Sequence, residues 1–388
     1  MHEAVQTAVT LSLVGGVLMA FVGFFAAHGL LELMSSPEDV IDLATLYLKI
    51  YFIGMPMTML YNFNASLLRA VGDTRRPLVC LAVAGVINVV LNLLFVIVFQ
   101  MSVAGVALAT ILSQTVSAIM VTVLLVKEEG AMHLDLRHLG FHKKALLQII
   151  QIGLPAGLQS TVFSLSNVVI QSAINTLGTV AIAASSAAFN VEILAYDVLN
   201  SFSQACTTFV GQNYGAGQIK RCKKTMQLSF LEGAIATFVS VVVLLLSARS
   251  LLAIFNSDPE VIAIGYIRLG RILPAYVFCL IYEILSGYLR GFGISLVPAL
   301  LTMLGVCGIR IAWVKFVFPT SMTFQTVMWV YPISLGVTAV LILCAVLIYR
   351  QALCKPGNGD GGQVRRTPHL SKCSQKARTA ASYAPRPI

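Results

Sequence analysis

Long apolar runs separated by short polar or glycine-containing breaks occupy the chain from about residue 8 to residue 348. They lack the alternating segments of about ten residues that mark a membrane barrel. Runs of this length in lipid must be helices, because only a helix gives each backbone N–H and C=O a partner within its own segment. The pattern predicts ten spans, at 8–34, 42–68, 77–98, 103–126, 147–175, 179–210, 225–250, 260–288, 297–318 and 324–348. The predicted fold class is all-α, a polytopic membrane protein.

The loops support that count. Assigning sides alternately gathers Arg69, Arg75, Arg76, Lys127, Arg137, Lys143, Lys144, the Lys220–Lys224 cluster, Arg290 and the basic tail from Arg350 on one face. The opposite loops, Ser35–Ile41, Gln100–Ser102, Thr176–Gly178, Asn256–Pro259 and Pro319–Thr323, carry no Lys or Arg. This asymmetry predicts an even number of spans with both termini cytoplasmic; the expected location of this multi-pass protein is the plasma (inner) membrane. Trp313 and Trp329 flank the outer loop at 319–323, where an interfacial belt places them.

Two stretches repeat one another. Leu67–Pro77 (LLRAVGDTRRP) and Tyr288–Pro298 (YLRGFGISLVP) each leave an apolar run through Leu-Arg, turn on glycine and re-enter through proline. They are preceded by LLELMSSPEDV (Leu30–Val40) with Tyr47 and Pro56, and by LLAIFNSDPEV (Leu251–Val261) with Tyr266 and Pro274. Such parallel duplication predicts two pseudo-symmetric helical bundles with a substrate path between them, a transporter habit. The division is 1–126 for a first bundle of about four spans, 127–146 for a cytoplasmic linker, and 147–350 for a second bundle of six spans. A disordered basic tail follows at 351–388. Pro56 and Pro274 in mid-span, and Pro155 early in its span, are expected kinks or tolerated packing bends.

Composition agrees with the pattern. Of 388 residues, 57% are hydrophobic and only 11% charged, against about 25% charged in soluble domains; mean hydropathy is +0.86. The net charge of +10 reads as loop orientation and not as a nucleic-acid footprint. Eight cysteines are scattered without a C-x-x-C pair, and Cys80, Cys206, Cys279, Cys307 and Cys344 lie in apolar runs, so neither a disulfide framework nor a zinc site is indicated. The N-terminus shows no basic region with a cleavage site.

Ionisable groups inside spans carry the chemistry, since each costs about 2.5–3.5 kcal/mol or more to insert. Glu192 and Asp197 lie in FNVEILAYDVLN, Glu283 in FCLIYEILSGY, and Glu232 about two turns into its span. Glu192 and Asp197 are about 140° apart on a helix, whereas Glu192 and Tyr196 share a face; Asn190 adds a further oxygen. An ionised carboxylate attracts an organic cation or binds sodium, and a desolvated one takes up a proton; competition between the two is antiport. The plainer reading pairs these acids with Arg268, Arg271, Arg310 or Lys315. Arg310, inside the ninth span, requires a carboxylate, and Glu283 is the candidate for an ion pair or conformation-dependent gate. Gln159 and Asn167 are neutral ligands or helix–helix hydrogen bonds. Arg69 and Arg290 read as cytoplasmic helix-end anchors.

Other motifs carry less. The Gly211–Lys224 loop lacks the strand and spacing of a nucleotide-binding loop. His138 and His142 stand at i, i+4 without an H-E-x-x-H pattern, so no metal site is assigned. No residue set of an intramembrane enzyme is present, and no catalytic residues are assigned.

The segments GLPAGLQ (Gly153–Gln159), AASSAAFN (Ala183–Asn190), QACTTFVGQNYGAGQIKRC (Gln204–Cys222), VINVVLNLL (Val86–Leu94) and SVAGVALAT (Ser102–Thr110) resemble the multidrug and toxic compound extrusion (MATE) transporters. The resemblance runs from about Thr7 to Arg350. It implies two lobes of six helices and alternating access. It also implies export of organic, often cationic, compounds in antiport with sodium or protons, without a cofactor. The implied partners are small organic molecules and membrane lipids, not nucleic acid, and the implied state is a monomer.

The chain departs from that pattern in two ways. The second copy of the repeat is preceded by two spans and the GQNYGAG loop, the first copy by neither. Ten spans are therefore expected here against twelve in the family, with a late start the favoured reason. The coupling acid that one branch carries on the first helix has no counterpart. The span opening with GLPAGLQ offers Gln159, Ser160, Ser164 and Asn167 where the family has an acid. A lipid-linked oligosaccharide flippase, with arginines holding pyrophosphate, and a non-transporting truncated remnant are the alternative readings.

Overall fold

The computed structural model describes residues 2–33, 38–129 and 132–353. The predicted tail beyond 353 and the Ser35–Pro37 part of the first repeat lie outside the described residues.

Every regular element among the described residues is helical. The order is α1 (His2–Leu33), α2 (Glu38–Ile53), α3 (Met55–Ala70), α4 (Arg75–Leu93), α5 (Ser102–Lys127), α6 (Lys143–Asn175), α7 (Thr179–Gly215), α8 (Ile219–Phe255) and α9 (Pro259–Gly291). Then come α10 (Leu296–Thr302), α11 (Ile309–Ala312), α12 (Phe324–Met328) and α13 (Val330–Leu353). A π-turn at Leu94–Val98 extends α4, and π-turns at Met303–Gly308 and Trp313–Val317 bracket α11, so that Leu296–Thr320 forms one continuous span.

Among the described residues nine helical runs are long and apolar enough to cross a membrane, and the pair α2–α3 makes a tenth. Each predicted span falls on one of these ten. The helices overrun the apolar stretches at their polar ends: α8 begins at Ile219, a turn and a half before the apolar run, and carries the basic cluster. Lipid sets the length of the apolar stretch but does not stop the helix. Leu246, Ile254 and Phe238 on α8 are strongly exposed, as suits a face turned to acyl chains. The protein is a multi-pass helical membrane protein.

The prolines behave unequally. The α2–α3 pair bends by 48°; Pro56, in the first turn of α3, removes a backbone donor there. Gly16 of α1 packs on this break: a Cβ on it would lie 2.5 Å from the Pro56 Cα. Pro155 and Pro274, by contrast, sit inside the uninterrupted helices α6 and α9.

The repeated motif has one physical meaning. At the end of α3, Gly72 has φ +93° and closes the helix with Gly72 N–H to Arg69 C=O at 3.0 Å and Asp73 N–H to Leu68 C=O at 3.1 Å. At the end of α9, Gly293 has φ +82°, with Gly293 N–H to Arg290 C=O at 2.8 Å and Ile294 N–H to Leu289 C=O at 3.0 Å. Both are left-handed glycine caps that satisfy the last carbonyls of a helix. Sequence similarity here is the imprint of a shared backbone turn.

Helix α3 packs against both α1 and α5, and α7, α8 and α9 pack on one another. The α7–α9 contact is close because Gly287 and Gly291, one turn apart, let backbones meet. A Cβ on Gly287 would stand 2.7 Å from the Ser203 carbonyl oxygen, and one on Gly291 2.6 Å from Val210. The GQNYG segment is the last turn of α7, and its Gln212 Nε2 donates to the Ala70 carbonyl at the end of α3 at 2.6 Å. In the linker, Leu134 tucks under α5, its N–H donating to Leu125 C=O at 3.0 Å. His138 and His142 do not converge: His138 stands 2.6 Å from Asp135, and His142 Nδ1 3.3 Å from Thr7 of α1.

Candidate functional site

A cavity of about 740 Å³ opens among α6, α7, α9, the α10–α11 span and α13. Its walls are mostly apolar and aromatic, and four charged side chains reach it: Glu192, Glu283, Arg268 and Arg310. All four lie on α7, α9 and α11.

Glu192 of α7 and Arg268 of α9 form a bidentate pair, with Arg268 Nη2 to Oε1 at 2.7 Å and Nε to Oε2 at 3.0 Å. The remaining Arg268 nitrogen, Nη1, donates to Ser185 Oγ at 2.6 Å. The side chains are 4% and 7% exposed for Arg268 and Glu192, so this fork is shielded from water. Here the plainer reading of a buried acid, as an ion pair, is realised.

Glu283 is different. It is buried and accepts a hydrogen bond from Ser203 Oγ of α7 at 3.3 Å. Among the described residues no Lys, Arg or His comes within 4 Å of its carboxyl group. The expected Glu283–Arg310 pair is therefore not formed. Arg310 instead donates through Nη1 to Asn167 Oδ1 of α6 at 2.8 Å, with Tyr331 and Phe163 rings 4.5 and 5.2 Å from its guanidinium carbon. The π-turns on either side of α11 shift its register from that of a regular helix, which is how one span presents Arg310 to α6.

Of the remaining candidates, Gln159, Asn167 and Tyr196 line the cavity, whereas Asn190 and Asp197 do not. Both are exposed, and Asn190 Nδ2 turns back to Ser186 C=O at 2.9 Å. Helix geometry gives the reason: at about 100° per residue, positions two before and five after Glu192 leave its face. Glu232 is likewise exposed on α8. Arg290, read as a helix-end anchor, reaches the cavity rim, donating through Nη2 to Gln159 Oε1 at 3.0 Å. Phe163 and Tyr331 escaped the sequence reading because an aromatic residue in an apolar span carries no signal of its own.

The MatE family model matches residues 1–94 and 155–314. The chain belongs to the MATE family. The probable multidrug resistance protein YpnP of Bacillus subtilis is 30% identical over 329 residues, covering 84% of this chain and 72% of that protein. A second Bacillus subtilis relative, the probable multidrug resistance protein YoeA, is 27% identical over 351 residues, covering 88% of this chain and 76% of its own length. The outward-facing structure of a multidrug resistance MATE family transporter superposes with a TM-score of 0.83 at 21% identity, covering 91% of this chain and 80% of that one. The MATE match includes α6, α7, α9 and α11, and so takes in Glu192, Arg268, Glu283 and Arg310.

Proposed function

We propose that this chain is a secondary active transporter that exports organic compounds in antiport with sodium or protons, the substrate occupying the cavity of its second half. In this reading residues 1–126 and 147–350 are two bundles that rock about the 127–146 linker to give alternating access, in the plasma membrane with both termini cytoplasmic. Glu283 carries the proposal. A carboxylate inside a span costs about 2.5–3.5 kcal/mol or more, and Glu283 meets that cost with neutral hydroxyls, Ser203 Oγ at 3.3 Å among them, and with no Lys, Arg or His within 4 Å among the described residues. A proton or sodium ion arriving from outside lowers that cost, and so does the positive end of a substrate. One group serving both in turn couples their movements. Glu192, already matched by Arg268, serves as a positioning residue that ties α7 to α9.

Proteoliposomes containing the purified chain test this. Uptake of a fluorescent organic cation is followed while a sodium gradient or a pH gradient is imposed. Glu283→Gln is expected to lose gradient-driven uptake and Glu283→Asp to retain part of it, with unchanged thermal unfolding. Gradient-driven uptake in the Gln variant equal to that of the parent chain would sink the proposal.

A further inference from the structure

Charge in the cavity does not balance residue by residue. The Glu192–Arg268 pair cancels internally. Arg310 is 2% exposed and has no acidic partner among the described residues: Nη1 bonds the neutral Asn167 oxygen at 2.8 Å, and buried Nε bonds nothing. Nη2 makes no hydrogen bond among the described residues either. The ring faces of Tyr331 and Phe163 offset part of the charge but accept no directed hydrogen bond. What is left without a hydrogen-bond partner is the Nε–Nη2 edge, the flat two-donor fork that matches both oxygens of a carboxylate or phosphate. Asn167 holds the opposite edge, so the fork is preset in orientation.

We infer that Arg310 is the receptor for an anionic group on the transported compound, an organic anion whose aromatic body lies against Tyr331 and Phe163. This rests on the transport reading for the identity of the cavity, and it deepens that reading by adding a carboxylate or phosphate to the aromatic compound it carries. Glu283 then serves the coupling ion and a positive end of the compound in turn, and Arg310 its anionic group.

Three probes of one body separate the charge types: 2-naphthoate, 2-naphthyl phosphate and 2-naphthyltrimethylammonium, titrated calorimetrically into the purified full chain in detergent. At least one anion is expected to bind about tenfold or more tighter than the ammonium compound, and which anion does so tells carboxylate from phosphate. Asn167→Asp, nearly isosteric, places a carboxylate where Arg310 Nη1 already donates. It should weaken the preferred anion about tenfold and leave the ammonium compound unweakened. Arg310→Gln should do the same, and Arg310→Lys, with charge but no fork, should fall between. Failure of both anions to bind the parent chain, a preference for the ammonium compound, or undiminished anion binding in Asn167→Asp would overturn the inference. Titration needs no ion gradient, so anion binding without transport sinks the transport reading alone. Gradient-driven transport without anion preference sinks this one alone.

Discussion

Removing one partner of the Glu192–Arg268 pair should destabilise the protein more than removing both. The two charges meet through hydrogen bonds of 2.7 and 3.0 Å at 7% and 4% exposure. Taking away one side of such a pair strands the other and costs about 3–5 kcal/mol. In Glu192→Leu the stranded guanidinium keeps Ser185 at 2.6 Å and the ring faces of Tyr331 and Phe189 at 5.6 and 6.0 Å. Ring faces contribute about 0.5–2 kcal/mol, which places this variant near the low end, about 3 kcal/mol. Arg268→Met strands a carboxylate that has no other side-chain donor among the described residues; the nearby Tyr276 hydroxyl donates to the Glu192 backbone carbonyl at 3.5 Å. Its cost belongs at the upper end, about 5 kcal/mol. The double variant Glu192→Leu with Arg268→Met has no charge to strand and is expected within about 2 kcal/mol of the parent. Reversible unfolding in mixed micelles, arranged as a double-mutant cycle, gives the coupling directly. Single variants that cost under about 1 kcal/mol, or whose costs simply add in the double variant, would refute the reasoning.

Two further perturbations test the repeat and its surroundings. Gly72→Ala and Gly293→Ala each force an L side chain into a left-handed cap in otherwise open space, so each should cost about 1–2 kcal/mol by backbone strain alone; unequal costs in the same unfolding assay would show that the two caps are not equivalent. Asp73, between α3 and α4, is held below the usual carboxylate range: burial raises its pKa, but hydrogen bonds from the Arg76 side chain and backbone outweigh it. A depressed folded-state value stabilises the turn above the ordinary carboxylate pKa and is lost as pH falls through the lowered one. Amide exchange at Val71–Thr74 should therefore quicken on acidification, and Asp73→Asn should abolish that dependence.

The spans were readable because lipid leaves little choice: a backbone without water must be helical, and the apolar runs mark where. Their ends were not, since nothing in membrane physics ends α7 at the apolar boundary, and the helix carries on to Gly215. The site was readable in its cost and unreadable in its pairing. Polar groups in apolar runs drew notice to Glu192, Glu283, Gln159, Asn167 and Arg310, all of which line the cavity. Insertion cost says that a charge must be compensated somewhere, not by whom. Arg310 therefore drew Glu283 as its expected partner, while α11 and its flanking π-turns set it on Asn167.

The repeat sharpens what separates the halves. The offset that brings Gly72 onto Gly293 also brings Tyr61 onto Tyr282 and Asn62 onto Glu283. Asn62 is exposed and spends its side chain on the Thr58 carbonyl of its own helix at 2.9 Å, whereas Glu283 is buried against α7. The duplicated frame thus reproduces the cap and the turn, but a charge at this position occurs in the second copy alone. A neutral amide meets its hydrogen bonding within its own helix; a carboxylate in the same place calls for an ion, a proton or a ligand. That difference of one residue type at one repeat position is why the proposed coupling role falls on α9 and not on α3.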